Sequence, residues 1–239
     1  MSVSSHEESG GAWLEATRRA AESGDAVAQL RLGIALDQGI QVNVDPAAAA
    51  VWYERAARQG LAEAQVHLGV LHYNGRGVPR NPAAAASWFR HAADQGMPAG
   101  QTNLALLYRT GDGVPPDAAE AAHLFTLAAD AGDPTSQYFL ALAYAEGRGV
   151  EQNPEKAVRL FEMAAQRGHA GAQHNLALMY AHGRHVDKDR AVAMRLISEA
   201  ARHPEVSRVI NRRMALYLGI AVVVLIAIVA CVLRLMGTY

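Results

Sequence analysis

The sequence predicts an all-α fold: a solenoid of five 36-residue helix-turn-helix repeats behind an N-terminal capping helix, followed by one C-terminal transmembrane helix. Three observations predict it. Glycines recur at a fixed step of 36, at Gly24, Gly60, Gly96, Gly132 and Gly168. Hydrophobic residues make up 51% of the chain but aromatics only 6%, so much of the apolar share is alanine, which favours close-packed helices over strands. Finally, "MALYLGIAVVVLIAIVACVL", Met214 to Leu233, carries no charge.

The opening residues are polar and have no apolar stretch of signal-peptide type, so 1–11 is expected to be a disordered tail. "WLEATRRAAESG" then reads like the second helix of a repeat and is expected to cap the array. The array itself, 12–203, keeps register at many positions. Gln29, Gln65, Gln101, Gln137 and Gln173 hold the step, as do Leu32, Leu68, Leu104, Leu140 and Leu176. Gly39, Gly75, Gly111, Gly147 and Gly183 hold it too, with the alanine pairs Ala56-Ala57 through Ala200-Ala201. A fixed period of this size marks a solenoid in which each repeat buries its apolar face against its neighbours.

Each repeat reads as two helices. The first, about Ala62 to Asn74 in the second repeat, places Gln65, Leu68 and His72 at helical spacing. Beside the leucine stands Gly69, or Ala105, Ala141 and Ala177 in later copies, so a second helix can approach closely. Gly75 is expected to end the helix in a left-handed conformation, and Val78 to plug the layer beneath the following loop. The second helix starts near Pro82, where a missing N–H is harmless, and carries Ala85, Trp88, Phe89 and Ala92 as one stripe before Gly96 stops it.

These residues resemble the Sel-1-like repeat family, a relative of the tetratricopeptide repeats. In the fourth repeat the family's pattern is met by Leu140, Tyr144, Gly147, Gly149, Val150, Lys156, Ala157, Phe161, Ala164, Ala165 and Gly168. The resemblance covers about Gly24 to His203. It departs at Leu36 and Gln41 in the first repeat and at His185 and Pro204 in the last. The resemblance implies a right-handed α-solenoid whose concave groove binds other proteins, and no enzyme.

Beyond the repeats, 204–213 reads as a juxtamembrane linker and 214–233 as a transmembrane helix: 20 residues rising about 1.5 Å each match a bilayer core of about 30 Å. A long buried helix docked on the solenoid is the alternative, disfavoured because one layer of repeats cannot surround it. Arg212 and Arg213 flank the span on one side and Arg234 on the other, leaving 234–239 as a short far-side tail. The arginine excess before the span predicts a cytoplasmic repeat domain on a tail anchor, with the lipid bilayer as a partner. The alanine-rich, lysine-poor composition points to a bacterial inner membrane.

The 22 basic and 23 acidic side chains nearly cancel, which argues against nucleic acid as a partner. The single cysteine, Cys231, excludes a disulfide framework. Glycine runs such as Gly147-Arg148-Gly149 lack the strand and the Lys-Ser/Thr of a phosphate loop. His169, His174, His182 and His185 gather in the last repeat, and His182 with His185 raises a zinc site; solvated histidines are the preferred reading. No cofactor, small-molecule substrate or catalytic group is expected.

Partner contacts are expected where the repeats differ. Two series on the first helices vary: Leu30, Val66, Thr102, Tyr138, His174, and Asp37, Tyr73, Arg109, Ala145, Ala181. Within one repeat the two positions are seven residues apart and share a face. Tyr73, Arg109, Tyr138, Thr102 and His174 are the candidate groove contacts for a protein or peptide. The expected function is a tail-anchored adaptor. Its alternatives are a regulator of a membrane-associated enzyme or secretion or envelope complex, and an exported effector inserted in host membranes.

Overall fold

The computed structural model describes the backbone of residues 4–202 and the side chains of 12–202. Eleven helices lie within them: α1 (Ser4–Glu22), α2 (Ala26–Gln38), α3 (Pro46–Arg58), α4 (Ala62–Asn74), α5 (Pro82–Asp94), α6 (Pro98–Thr110), α7 (Ala118–Asp130), α8 (Pro134–Glu146), α9 (Pro154–Gln166), α10 (Ala170–His182) and α11 (Arg190–Ala200). The first helix of each repeat ends where glycine allows it: the residues just beyond α2, α4, α6, α8 and α10 are Gly39, Gly75, Gly111, Gly147 and Gly183, all left-handed. The second helices begin on a side-chain cap. Asp45, Asn81, Asp117, Asn153 and Asp189 each accept from backbone N–H groups of the first turn. Such a cap is worth about 1 kcal/mol.

The chain divides into two compact units, residues 1–160 and 161–239. In the N-terminal unit successive helices pack in order, α1 on α2 through α7 on α8, and α4 also touches α6. Ala28, Leu32 and Ala21 form the first core cluster, with Leu14 and Trp52 against it. Tyr53, Leu68 and Leu71 anchor the next, beneath Val78, and Phe89, Leu104, Leu107, Phe125 and Leu140 the largest, beneath Val114. Each buried phenyl ring contributes about 1.5–3 kcal/mol. Close approach demands the small residues beside the leucines: a Cβ on Gly69 would lie 2.5 Å from the Phe89 ring.

The repeating glutamines brace the helices. Gln29 Nε2 donates to the Ala21 carbonyl at 3.0 Å, Gln65 to Ala57 at 3.2 Å and Gln137 to Ala129 at 3.2 Å, always eight residues back. Because Ala21 lies in α1, that helix offers α2 the same carbonyl that α3 offers α4. α1 starts at Ser4 and so takes in most of the segment expected to be a tail.

In the C-terminal unit α10 packs on α11, and Gln173 donates to Ala165 at 3.2 Å. Ala164, Ala172, Leu176, Ala177, Ala193 and Leu196 are buried there.

The expected fold class needs correction at its C-terminal end. What stands is the all-α solenoid of helix-turn-helix repeats. Among the described residues no helix is long and apolar enough to cross a membrane, because α2–α11 have 11 to 13 residues each and α1 is predominantly polar. The segments read as linker, span and tail (204–213, 214–233 and 234–239), with Arg212, Arg213 and Arg234, lie outside the described residues. The transmembrane helix, the tail anchor, the bilayer as partner and the inner-membrane location are therefore withdrawn from the reading.

Candidate partner-binding surface

The five candidate contacts prove unalike. Thr102, on α6, is buried, and its hydroxyl lies 2.9 Å from the Pro98 carbonyl, 3.1 Å from Asp133 Oδ2 and 2.7 Å from Ser136 Oγ. It ties α6 to the start of α8 and offers nothing to solvent. Tyr73, at the end of α4, is exposed, with the Arg80 guanidinium 5.5 Å from its ring centre. His174 stands exposed on α10 in the C-terminal unit.

Arg109 and Tyr138 converge on a residue that the sequence did not single out. The Arg109 guanidinium lies 4.5 Å over the Phe139 ring, and Tyr138 meets the same ring edge-on at 5.1 Å. Phe139 in turn stacks on buried Phe125 at 5.4 Å. The signal was present: Phe139 stands in register with Arg31, His67, Asn103 and Asn175, so it is the one apolar residue in a polar series.

Beside Phe139 a cavity of about 150 Å³ opens between α7 and α8. Its apolar walls come from Ala118, Ala121, Ala122, Phe125, Leu142 and Ala143, with Arg109, Glu146 and Arg148 at the mouth. Ala143 contributes to the opening. In register with it stand Leu71 and Leu107, each 3% exposed, and in the first repeat Ala35, itself fully buried. Ala143 is three carbons shorter than leucine, and the space stays open.

The charges at the mouth also depart from the repeat. In the first repeats Asp37 faces Arg76, at 3.4 Å between carboxylate and guanidinium. In register with that pair, Arg109 stands opposite Arg148, cation against cation. Glu146 reaches Arg148 at 2.7 Å, whereas Arg109 has no ion-pair partner among the described residues. In the first repeat a buried polar group stands in the register of Phe125. Tyr53 is fully buried and stacks on His67 at 4.9 Å. Burial, then the neighbouring Asp37, holds the Tyr53 hydroxyl well above the usual phenol range. Burial lowers His67, although Glu63 and Asp37 oppose it.

In the C-terminal unit a second depression, about 210 Å³, is bounded by Glu162, Leu176, Tyr180, Arg195 and Glu199. The Tyr180 hydroxyl donates to Glu162 at 3.4 Å, and burial followed by the Glu162 charge raises its pKa. Of the last-repeat histidines, His169 caps α10, its Nδ1 accepting from Ala172 N–H at 3.2 Å. Among the described residues no group of three or more His, Cys, Asp or Glu side chains is placed to hold a metal ion.

Paired helices of 11 to 13 residues, repeated every 36 residues around a core of alanine and single aromatics, define a helical-repeat solenoid. The family described as Sel1 repeat matches residues 26–61, 62–97, 98–133, 134–169 and 170–204, and the chain belongs to that family. A comparison with curated protein sequences gives no match. Among solved structures, the chain is similar to a protective antigen present in uropathogenic Escherichia coli strains, at 37% identity, TM-score 0.74 and 79% of this chain. It spans 40% of that protein's length. It is similar also to a Sel1 repeat protein from Oxalobacter formigenes, at 32% identity and TM-score 0.69, over 75% of this chain and 74% of that one. A Sel1 repeat protein from Klebsiella pneumoniae shares the fold at 21% identity and TM-score 0.55, over 83% of this chain and 98% of that one.

Proposed function

We propose that this chain is a protein-binding regulator: its repeats grip a protein or peptide partner and thereby change what that partner does. The observation that carries the reading is the convergence of Arg109 and Tyr138 on Phe139 beside an open apolar cavity. Invariant positions hold the helices together, and these positions vary from repeat to repeat as a ligand-choosing surface does. Tyr and Arg are the residue types most enriched where binding energy concentrates. The family's repeat architecture agrees with a binding role. Tyr73 and His174 remain candidate contacts on exposed positions; Thr102 is occupied in the α6–α8 seam.

The test is cross-linking of the full chain in its source cell, followed by identification of the captured proteins and assay of their activity with and without the chain. Replacing Tyr73, Arg109 and Tyr138 together by alanine is expected to lower partner recovery at least tenfold. Unchanged recovery, or a captured enzyme whose activity ignores the chain, would remove the regulatory reading.

A further inference from the structure

We infer that the cavity over Ala143 is a socket for one apolar side chain of a peptide that carries a carboxylate beside it, the carboxylate pairing with Arg109. The inference rests on the protein-binding reading above and gives its ligand a chemistry.

The size comes first. A cavity of about 150 Å³ with predominantly apolar walls is the volume that takes a benzene-sized group in an apolar protein cavity. A leucine, isoleucine or phenylalanine side chain is of that class. Because the mouth is open, the group can enter from a bound chain without the helices parting. Phe125 and Phe139 supply the aromatic wall, and the alanines of α7 leave its floor flat.

The charge comes second. Arg109 lies over the Phe139 ring at the rim, and Arg148 faces it in the register where Asp37 answers Arg76 two repeats earlier. The Glu146 carboxylate is already engaged by Arg148 at 2.7 Å. One positive charge is therefore left over at the edge of an apolar hole. A guanidinium held over a ring is fixed in orientation and presents its N–H fork to a carboxylate. An apolar ligand alone would leave that charge unanswered, and a basic peptide would meet repulsion.

The register comparison comes third, because it separates design from accident. The same position holds Leu71 and Leu107, both buried, so a leucine fits this framework; Ala35 holds it in the first repeat, where it is fully buried, whereas Ala143 borders an open cavity. An alanine there gives up packing that the neighbouring repeats possess. The same helix also brings Phe139 and Tyr138 to the site, and the preceding first helix brings Arg109. Departures from the repeat gather around one hole.

The full chain is panned against random heptapeptides displayed on phage at low salt. Enriched peptides are expected to place an aliphatic or aromatic residue within two positions of Asp or Glu. A synthetic copy is expected to lose at least tenfold in affinity on Ala143→Leu, which fills the socket as Leu107 fills its own, and to lose affinity and salt dependence on Arg109→Gln. Should Ala143→Leu fail to fold, Ala143→Met, which copies Met179 at the same position of the last repeat, serves the same purpose. Enriched peptides that bind Ala143→Leu as tightly as the parent chain would overturn the socket and leave the protein-binding reading standing. Enrichment of basic peptides would overturn the carboxylate. If no peptide is enriched at all, both the socket and the peptide-binding reading fall.

Discussion

Gly149 lies where the loop after α8 crosses the first turn of α7, and a side chain there would have nowhere to go. Its φ is +75°, and a Cβ built on it would run into the carbonyl group of Ala118 and come within 2.8 Å of Ala119 N. Gly149→Ala therefore meets two separate penalties. The left-handed conformation costs an L-residue about 1–2 kcal/mol. The clash is with backbone, which cannot swing aside as a side chain does, so the loop or the start of α7 must shift at about 1–3 kcal/mol. The sum is about 2–5 kcal/mol. Gly96 supplies the control, because its φ is +76° but nothing lies within 4 Å of a Cβ there, so Gly96→Ala should lose only the first term. Urea titration followed by helical circular dichroism measures the difference. Amide exchange localises it, since each repeat leans only on its neighbours and the added opening should appear in α7 and α8. Equal losses for the two variants would refute the claim that the second loop glycine is required by contact as well as by conformation.

Gln65→Leu is expected to cost about 1–3 kcal/mol, because it removes the side-chain donor to the Ala57 carbonyl, which keeps the Gly60 N–H, and the acceptor 2.8 Å from Gln95 Nε2. Gln137→Leu should cost less, since its Oε1 is buried without a partner and only the bond to Ala129 is lost; urea midpoints compare the two. His67 gives a pH signature. Burial lowers its folded pKa below the ordinary value of about 6.5, against Glu63 and Asp37. The unfolded chain then binds the proton more readily, so stability is full above that value and declines as pH falls through and below it. His67→Asn, borrowing the residue that Asn103 and Asn175 place in this register, should flatten the pH dependence of the urea midpoint between pH 7 and 5.

The period made the framework legible, because 36-residue spacing fixes which residues must share a contact. Helix ends at Gly75 and Gly147, the stripe Ala85-Phe89-Ala92 and the close approach at Gly69 all follow from it. So, in principle, do the caps: Asp45, Asn81, Asp117, Asn153 and Asp189 also hold the step. The site was less legible because a position in a series says which face a residue is on, not how deep it lies. Thr102 falls on the variable face and is buried, since Asp133 and Ser136 come over it from α8. Ala143 gave no sign as a residue, alanine being the commonest filler of the chain. Its register holds leucine at 71 and 107 but alanine at 35, so only the cavity beside it marks Ala143 out. The C-terminal span was read from the length of an uncharged run and its flanking arginines, and that stretch lies outside the described residues.

A solenoid can tolerate such a gap better than a globular core can. Each repeat is held by its own core and by two neighbours, so a weakened seam lowers one interface term and leaves the others intact. Removing a buried leucine costs about 2–5 kcal/mol in a closed core. At the mouth of a cavity the loss is smaller, because solvent and rim side chains reach part of the exposed wall. Arg109 covers one side of that wall by lying across Phe139, and Tyr138 guards its edge. The same two side chains that shelter the ring are the ones a ligand would meet first. Filling the gap with Ala143→Leu should therefore stabilise the chain while weakening capture at least tenfold, an opposition between stability and binding that a purely structural alanine would not produce.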